Sequence, residues 1–246
     1  MSKRTDSNLY TILFAIAMVI VVGGLLAFTA SSLRPRIDNN ERLEKQQNIL
    51  YAMGVNANDD SSAIFVSTDE APELFAKYIT KQLVIQGSDI SENKEAYLID
   101  VKKEQTSAKA GNERRLPLFV GNKDGKTFYI APIRGKGLWD AIWGYVAMDA
   151  DMVVQGAYFD HKGETAGLGA NIKQRFFMDD FIGEHLMSNG VFKGITVAKG
   201  NNDPKNLEKN DNEVDAIAGA TITGDGVSAM LKSELRQYVS YFKTLK

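Results

Sequence analysis

Two threonine hydroxyls stand among small residues near the C-terminus, in the segment DAIAGATITGDG at positions 215–226. Thr221 and Thr223 are β-branched, so the orientation of each hydroxyl is restricted. The apolar stripe that follows predicts a helix, and a helix start offers unpaired N–H groups and a positive dipole end to a phosphate. Small residues before Thr221 leave its hydroxyl accessible to a second enzyme, which can recognise the charge of Asp215. The segment therefore predicts phosphate chemistry at Thr221.

A structural interpretation of the same segment stays open. Thr223 or Asp225 is a suitable N-cap, with the turn made by Gly224 and Gly226. On that interpretation the Thr221 hydroxyl does no chemistry, and the protein is an anchored assembly domain without a redox role.

A glycine-rich loop, HKGETAGLGA at 161–170, is a second candidate binding element. Glycines let backbone N–H groups approach a ligand without a Cβ in the way. Glu164 and Thr165 can hydrogen-bond the heteroatom edge of a ring system, while the residues 167–169 admit the ring face. The loop lacks the GxxxxGK[ST] pattern of a phosphate loop, and His161 has no partner at metal-ligand spacing. A metal site is therefore not predicted.

The segment PIRGKGLWDAIWGYVAMD at 132–149 has two interpretations. It can be a β-bulge followed by a core strand. Alternatively, Leu138 and Trp139 project from a backbone that the neighbouring glycines leave unhindered, and they form a flat apolar wall for a planar ligand.

Composition excludes several classes of chemistry. The 246 residues include no cysteine, so disulfides, thiolate-ligated iron–sulfur clusters and a cysteine nucleophile are absent. A formal net charge of -2 and the lack of a basic cluster argue against nucleic acid as a partner. Neither a GxGxxG motif nor a Ser-His-Asp or paired-carboxylate arrangement is recognisable. Any redox chemistry must therefore use an organic cofactor or a borrowed metal.

An uncharged apolar stretch at 9–30 is long enough to cross a hydrocarbon core of roughly 30 Å as a helix. A retained transmembrane anchor is favoured over a cleaved signal peptide, whose apolar region is usually shorter. Lys3 and Arg4 on one side face Arg34 and Arg36 on the other, so the positive-inside rule gives a weak preference. We expect the N-terminus in the cytoplasm and the chain after Arg36 outside.

The remaining sequence predicts one α+β domain, with a mostly antiparallel, twisted sheet flanked by helices. Helical periodicity predicts helices over 38–55, 71–82, 174–187 and 225–242. β-Branched and aromatic runs predict strands over 96–101, 116–121, 127–133, 142–149, 152–159 and 194–197. The NKDG sequence at 122–125 predicts a hairpin turn, and 201–213 a polar linker. The domain boundaries are 1–36 for the segment with the transmembrane helix and 37–246 for the extracytoplasmic domain.

The segment DAIAGAT resembles the flavinylation motif D-x-x-[S/T]-G-A-T, whose last threonine receives FMN through a phosphoester bond. Ala218 departs from the motif, which most often has serine or threonine there. Together with the single span and the segments GKGLWDAIWGYVAM and HKGETAGLGA in the same order, the whole chain resembles the C-subunit family of the sodium-translocating NADH:quinone oxidoreductases.

The resemblance implies one covalent FMN on Thr221, with Leu138 and Trp139 flanking the isoalloxazine. It implies that five residues line the other side of the ring: Glu164, Thr165, Gly167, Leu168 and Gly169. Lys199 is a candidate for the phosphate or ribityl chain, and the motif contributes Asp215, Gly219 and Ala220. No catalytic residue and no metal ligand are implied.

The resemblance also implies a bacterial cytoplasmic-membrane protein, single-pass, with its FMN domain on the periplasmic side. A flavin passes one or two electrons, as a relay inside a multi-subunit sodium pump requires. NADH oxidation and ubiquinone reduction would belong to partner subunits, and a flavin transferase would attach the FMN. The span has no acidic residue to hold sodium. The alternative is the equivalent flavoprotein of the related ferredoxin:NAD oxidoreductase complex, which the segment GLWDAIWGYVAM fits less well.

Overall fold

The computed structural model describes residues 7–59, 62–201 and 203–246, so Lys3 and Arg4, which bear on membrane orientation, lie outside the described residues. The chain divides into two compact units after Arg42. The predicted boundary after Arg36, between anchor and extracytoplasmic domain, concerns the membrane and stays a prediction.

Helix α1, Asn8–Ala52, contains the predicted span and is long and apolar enough to cross a membrane, which fits a membrane anchor. The separate helix start expected near residue 38 is wrong, because α1 runs through that position without interruption. Its predicted stop is confirmed: Gly54 has a φ of +78°, and the Val55 N–H donates to the Leu50 carbonyl at 2.9 Å.

The core of the second unit is a six-stranded sheet in the order β2-β1-β3-β4-β5-β6, in which every neighbouring pair is antiparallel. The strands are β1 Ile79–Gln86, β2 Asp89–Glu92, β3 Arg115–Lys123, β4 Lys126–Lys136, β5 Ala141–Met148 and β6 Val154–His161. Two short ladders follow, β7 Met187–Ser188 with β8 Val191–Phe192, and β9 Thr196–Val197 with β10 Glu213–Val214. The predicted α+β fold with a mostly antiparallel sheet is confirmed.

Five further helices accompany the sheet among the described residues: α2 Ala71–Tyr78, α3 Val101–Lys109, α4 Arg175–Asp180, α5 Thr221–Leu235 and α6 Val239–Thr244. Helix α5 buries Val227, Met230 and Leu231 and lies on β4. A Cβ on Gly135 would be 2.7 Å from the Met230 Cβ, so this glycine allows α5 to approach the strand.

One predicted turn is present in the structure, and one predicted strand is replaced by other structure. The NKDG hairpin is confirmed, since Asp124 and Gly125 both have positive φ and join β3 to β4. The strand predicted over 96–101 is wrong. Its first residues form a 3-10 turn, and the Asp100 carboxylate caps α3 by accepting from the Lys102 N–H at 2.9 Å.

Three predicted helices have different bounds from those expected. The helix predicted over 71–82 ends at Tyr78, because the following residues pair with β3 as strand β1. The helix predicted over 174–187 ends at Asp180, and Gly183 then takes a φ of +88°. The helix predicted over 225–242 begins four residues earlier, at Thr221, and turns 3-10 at Arg236–Tyr238.

Candidate functional site

Helix α5 begins with an uncapped first turn. Ala220 occupies the N-cap position and makes no side-chain hydrogen bond to the helix, while Gly219 supplies the turn with a φ of +72°. Thr221 is the first helical residue and is exposed. The expectation that Thr223 or Asp225 caps the helix is wrong, because both lie inside it. The helix start therefore leaves N–H groups and a hydroxyl available to an anionic ligand.

The two glycines expected in a turn, Gly224 and Gly226, lie inside α5 and serve close packing. A Cβ on Gly226 would be 2.4 Å from the Lys136 carbonyl oxygen, and one on Gly224 would be 3.0 Å from the Val197 side chain. The first turns of α5 are thereby held against the end of β4 and against β9.

Glu164 joins three segments of the site. It is 7% exposed, and its Oε1 accepts the Trp139 backbone N–H at 2.9 Å. Its Oε2 accepts the Thr223 hydroxyl at 2.6 Å. The carboxylate thus ties the loop after β6 both to the turn between β4 and β5 and to the first turn of α5.

Two glycines make room for this carboxylate. A Cβ on Gly137 would be 2.6 Å from the Glu164 Oε1, and a Cβ on Gly169 would be 2.6 Å from its Oε2 and 2.4 Å from the Thr223 hydroxyl. Such separations are far inside van der Waals contact, so a side chain at either position would displace Glu164 or Thr223.

Glu164 is held in its ionised form. Burial by itself raises the pKa of this carboxyl, but hydrogen bonds from the Thr223 hydroxyl and from the backbone N–H groups of Trp139, Asp140 and Leu138 outweigh it and lower the pKa below its usual range. The Glu164 backbone N–H donates in turn to the His161 Nδ1 at 3.2 Å. The loop that carries Glu164 is therefore fixed from both sides.

A cavity of about 230 Å3 opens beside this network, at the start of α5. It is called the α5 cavity below. Eight of the predicted site residues line it, together with Ile222 and Thr223: Leu138, Glu164, Thr165, Leu168, Gly169, Gly219, Ala220 and Thr221. The fold thus brings together predicted residues from three separate segments of the sequence.

The other four predicted residues lie outside this lining. The Trp139 indole stands beside it, 66% exposed, with its Nε1–H donating to the Thr165 hydroxyl at 3.2 Å. Gly167 is an exposed turn residue with a φ of +77°. Lys199 is exposed and Asp215 half-buried, on the chain leading to α5.

The wall of the α5 cavity is apolar and open to solvent. Leu138 is 42%, Leu168 41% and Ile222 57% exposed, whereas the hydroxyls of Thr165 and Thr221 are the polar groups on the rim. Leu138 belongs to a tight turn between β4 and β5, closed by the Gly137 N–H donating to the Asp140 carbonyl at 2.8 Å. This turn replaces the β-bulge considered from the sequence.

Sequence reasoning missed the partner roles of Thr223 and Gly137. A signal existed for Gly137, since glycines at 135 and 137 near a strand end indicate close approach of other chain segments. Nothing in the sequence pairs Thr223 with Glu164, which are 59 positions apart. No group of three or more His, Asp or Glu that could hold a metal occurs in the described part of the chain.

The chain matches known proteins over these residues. The model of the FMN-binding domain family matches residues 137–236, which include the whole lining of the α5 cavity. The C-subunit of the Na(+)-translocating NADH-quinone reductase from Vibrio anguillarum is 29% identical over 243 residues, covering 92% of this chain and 90% of that protein. Its Pseudomonas aeruginosa counterpart is 28% identical with the same coverage.

Solved structures agree with these matches. A crystal structure of the Na(+)-translocating NADH-quinone reductase C-subunit from Parabacteroides distasonis is similar with a TM-score of 0.72 and 34% identity, covering 85% of this chain and 96% of that one. NqrC of Shewanella oneidensis is similar with a TM-score of 0.67 and 25% identity, covering 83% and 99%.

Proposed function

Because this chain belongs to the C-subunit family of the Na(+)-translocating NADH-quinone reductases, we propose that it is the membrane-anchored, FMN-carrying member of such a complex and relays electrons within it. The observation that carries the proposal is the exposed Thr221 hydroxyl, which stands at the uncapped start of α5 and on the rim of the α5 cavity.

The residues of the α5 cavity suit a flavin mononucleotide. The N–H groups of the first turn of α5 suit its phosphate, and Gly219 lets Leu168 pack close to the start of the helix, since a Cβ there would lie 2.9 Å from the Leu168 side chain. Leu138 and Leu168 offer apolar surface to a ring, and the Thr165 hydroxyl offers a polar group to its edge. We propose that Thr221 bears the FMN as a phosphoester, made by a flavin transferase.

Glu164 has a positioning role in this proposal. Both of its oxygens already accept hydrogen bonds from the protein, so it shapes the α5 cavity by holding the Leu138 turn and the start of α5 together. The Trp139 indole, fixed at its Nε1–H by Thr165, covers one flank of the cavity. Lys199, exposed and on the approach to α5, remains a candidate for the phosphate or ribityl chain.

When bound, FMN supplies a centre that takes up and passes on one or two electrons. The protein's part is to hold it at a solvent-accessible apolar rim, where Leu138, Leu168 and Ile222 are partly exposed and accessible to a partner protein. We assign NADH oxidation, quinone reduction and sodium movement to partner subunits, since the sequence has no GxGxxG motif and its apolar span has no acidic residue. We place the FMN domain on the periplasmic side of the bacterial cytoplasmic membrane.

The test is intact mass and in-gel flavin fluorescence after denaturation, on full-length protein from its native host. We expect the wild type to carry the mass of one FMN and a fluorescent band, and Thr221→Ala to lose both. Thr196→Ala is the matched control, because Thr196 is an exposed threonine on β9, outside the cavity lining.

Two results would count against the proposal. A fluorescent Thr221→Ala protein would move the attachment site elsewhere. A wild type that runs dark at its unmodified mass would favour an anchored assembly domain without a redox role. For the relay, membranes carrying Thr221→Ala should lose NADH-driven quinone reduction while the complex still assembles.

A further inference from the structure

A second cavity, of about 530 Å3, is bordered by α3, the C-terminal end of β4 and the C-terminal part of α5. Its lining includes five cationic side chains: Lys102 and Lys109 on α3, Arg114 directly before β3, and Arg134 and Lys136 on β4. Among the residues that the structure describes, the four other than Arg114 form no ion pair with a carboxylate. The chain as a whole has a net charge of -2, so this concentration of positive charge is a local feature.

The inner wall of this basic cavity holds a largely buried arginine. The Arg114 side chain is 10% exposed, and its Nη1 and Nη2 donate to the two carboxylate oxygens of Glu234 at 3.0 and 2.5 Å. Its Nε–H has no acceptor among the described residues. That nitrogen is itself shielded from solvent, so Arg114 serves the wall of the cavity through its pair with Glu234. Among the described residues Glu234 is the one carboxylate in the lining, and Arg114 neutralises it.

The walls of the basic cavity are held in place by the protein itself. The Gln105 side chain on α3 donates to the Arg134 carbonyl at 2.8 Å, which ties α3 to β4. The pair between Arg114 and Glu234 ties the start of β3 to α5. The cationic groups are therefore gathered around a preformed concavity, as ligand sites usually are.

Gathering like charges in a concavity has an electrostatic consequence. The cations repel one another, and low-dielectric walls focus their field into the open space. An anion with several charged oxygens relieves this repulsion. Lysine ammonium groups and arginine guanidinium groups are the usual protein partners of phosphate oxygens.

We propose that the basic cavity binds a small phosphate-bearing anion with two or more negative charges. The site is distinct from the α5 cavity, since the two linings share no residue. It therefore does not depend on the attachment of FMN to Thr221.

The experiment is isothermal titration calorimetry of the full-length protein in detergent with inorganic pyrophosphate as the probe, at low ionic strength. The cavity variant combines Lys102→Gln, Lys109→Gln and Arg134→Gln, which removes three positive charges from the lining. Far-UV circular dichroism and the melting temperature without pyrophosphate establish that this variant is folded.

The control variant also removes three positive charges, by Lys81→Gln, Lys126→Gln and Lys205→Gln at exposed positions outside the lining. We expect the cavity variant to bind pyrophosphate about tenfold more weakly or worse, because nearby opposite charges are lost. We expect the control to stay within about twofold of the wild type, since distant exposed charges are screened.

Stability gives a second, opposite readout. Without pyrophosphate the cavity variant should melt at the wild-type temperature or higher, because repulsion between cations is removed. Added pyrophosphate should raise the melting temperature of the wild type and of the control variant more than that of the cavity variant. Absence of binding to the wild type, or equal weakening in both variants, would overturn the proposal. If the triple variant does not fold, Lys109→Gln alone at the exposed end of α3 should still weaken binding by about threefold.

Discussion

Replacing Thr223 by valine should destabilise the fold by an amount that depends on the charge of Glu164. Valine keeps the branched shape of threonine but removes the hydroxyl that donates to the Glu164 Oε2 at 2.6 Å. A hydrogen bond to a charged group contributes about 1.5–3 kcal/mol. For a chain of this length that free energy corresponds to a fall in melting temperature of roughly 3–12 °C.

The pH dependence identifies the source of this loss. The folded-state pKa of Glu164 is lowered, so its ionised form contributes stability that is present above the unfolded pKa of about 4.3 and is lost as the pH falls through the folded value. Thr223→Val removes the hydrogen bond that lowers the pKa of Glu164 the most. The difference in unfolding free energy between wild type and variant should therefore be largest at pH 7 and shrink below about pH 4.

The assay is chemical denaturation of the full-length protein in detergent at pH 7 and at several acid pH values. Thr223→Ser keeps the hydroxyl and is the matched control. We expect it to retain most of the pH-dependent contribution that the bond to Glu164 makes to the free energy of unfolding. A loss for Thr223→Val that is the same at every pH would refute the reasoning, because it would come from packing around residue 223 instead of the bond to Glu164.

Two further predictions concern other buried groups. Gly169→Ala should cost about 1–3 kcal/mol of unfolding free energy, because the added Cβ would lie 2.4 Å from the Thr223 hydroxyl, whereas Gly163→Ala, whose nearest neighbour is 4.0 Å away, should change the denaturation midpoint little. Glu184 is fully buried, and burial raises its pKa to about 7, so the folded state loses stability as the pH rises from about 4.5 to 7. Glu184→Gln should thus increase the free energy of unfolding at pH 8 by up to about 3 kcal/mol, seen as a higher melting temperature, and leave both nearly unchanged at pH 4.5. Equal effects at both pH values would contradict this.

The sheet could largely be predicted from local sequence, because its central strands carry β-branched and aromatic runs and a turn with its own signal. The runs at 116–121, 127–133, 142–149 and 152–159 all fall mostly within strands. The first residues of β1 are instead predicted as the end of a helix because Lys81 and Gln82 suit a helix, and pairing with β3, more than 30 positions away, decides their structure. A pairing with such a distant strand cannot be predicted from the few residues on either side.

Most residues that line the α5 cavity could be predicted from the sequence, but the contacts that they make with one another could not. The resemblance of three short segments to a known family identifies eight of the residues that line the α5 cavity. Glu164 is expected from the sequence to contact a ring edge, yet its two oxygens are engaged by Trp139 and Thr223. A buried carboxylate accepts hydrogen bonds from the donors that the tertiary structure brings within about 3 Å of it. The donors to Glu164 lie 25 and 59 positions away in the sequence, so the local sequence does not identify them.

The position of the helix start places the two threonines of DAIAGATITGDG in different surroundings. If α5 began near residue 225, Thr221 and Thr223 would both lie before the helix, and Thr223 or Asp225 would be near enough to its start to cap it. Because α5 begins at Thr221, the two threonines are two positions apart on a helix and point roughly 200° apart around its axis. Thr223 turns inward, 2% exposed, to Glu164, while Thr221 remains exposed on the cavity rim. Thr223 thus contributes to packing through its bond to Glu164 and does not cap the helix, whereas Thr221 is exposed for the attachment that we propose. On that proposal, loss of the Thr221 hydroxyl should remove the flavin without unfolding the domain.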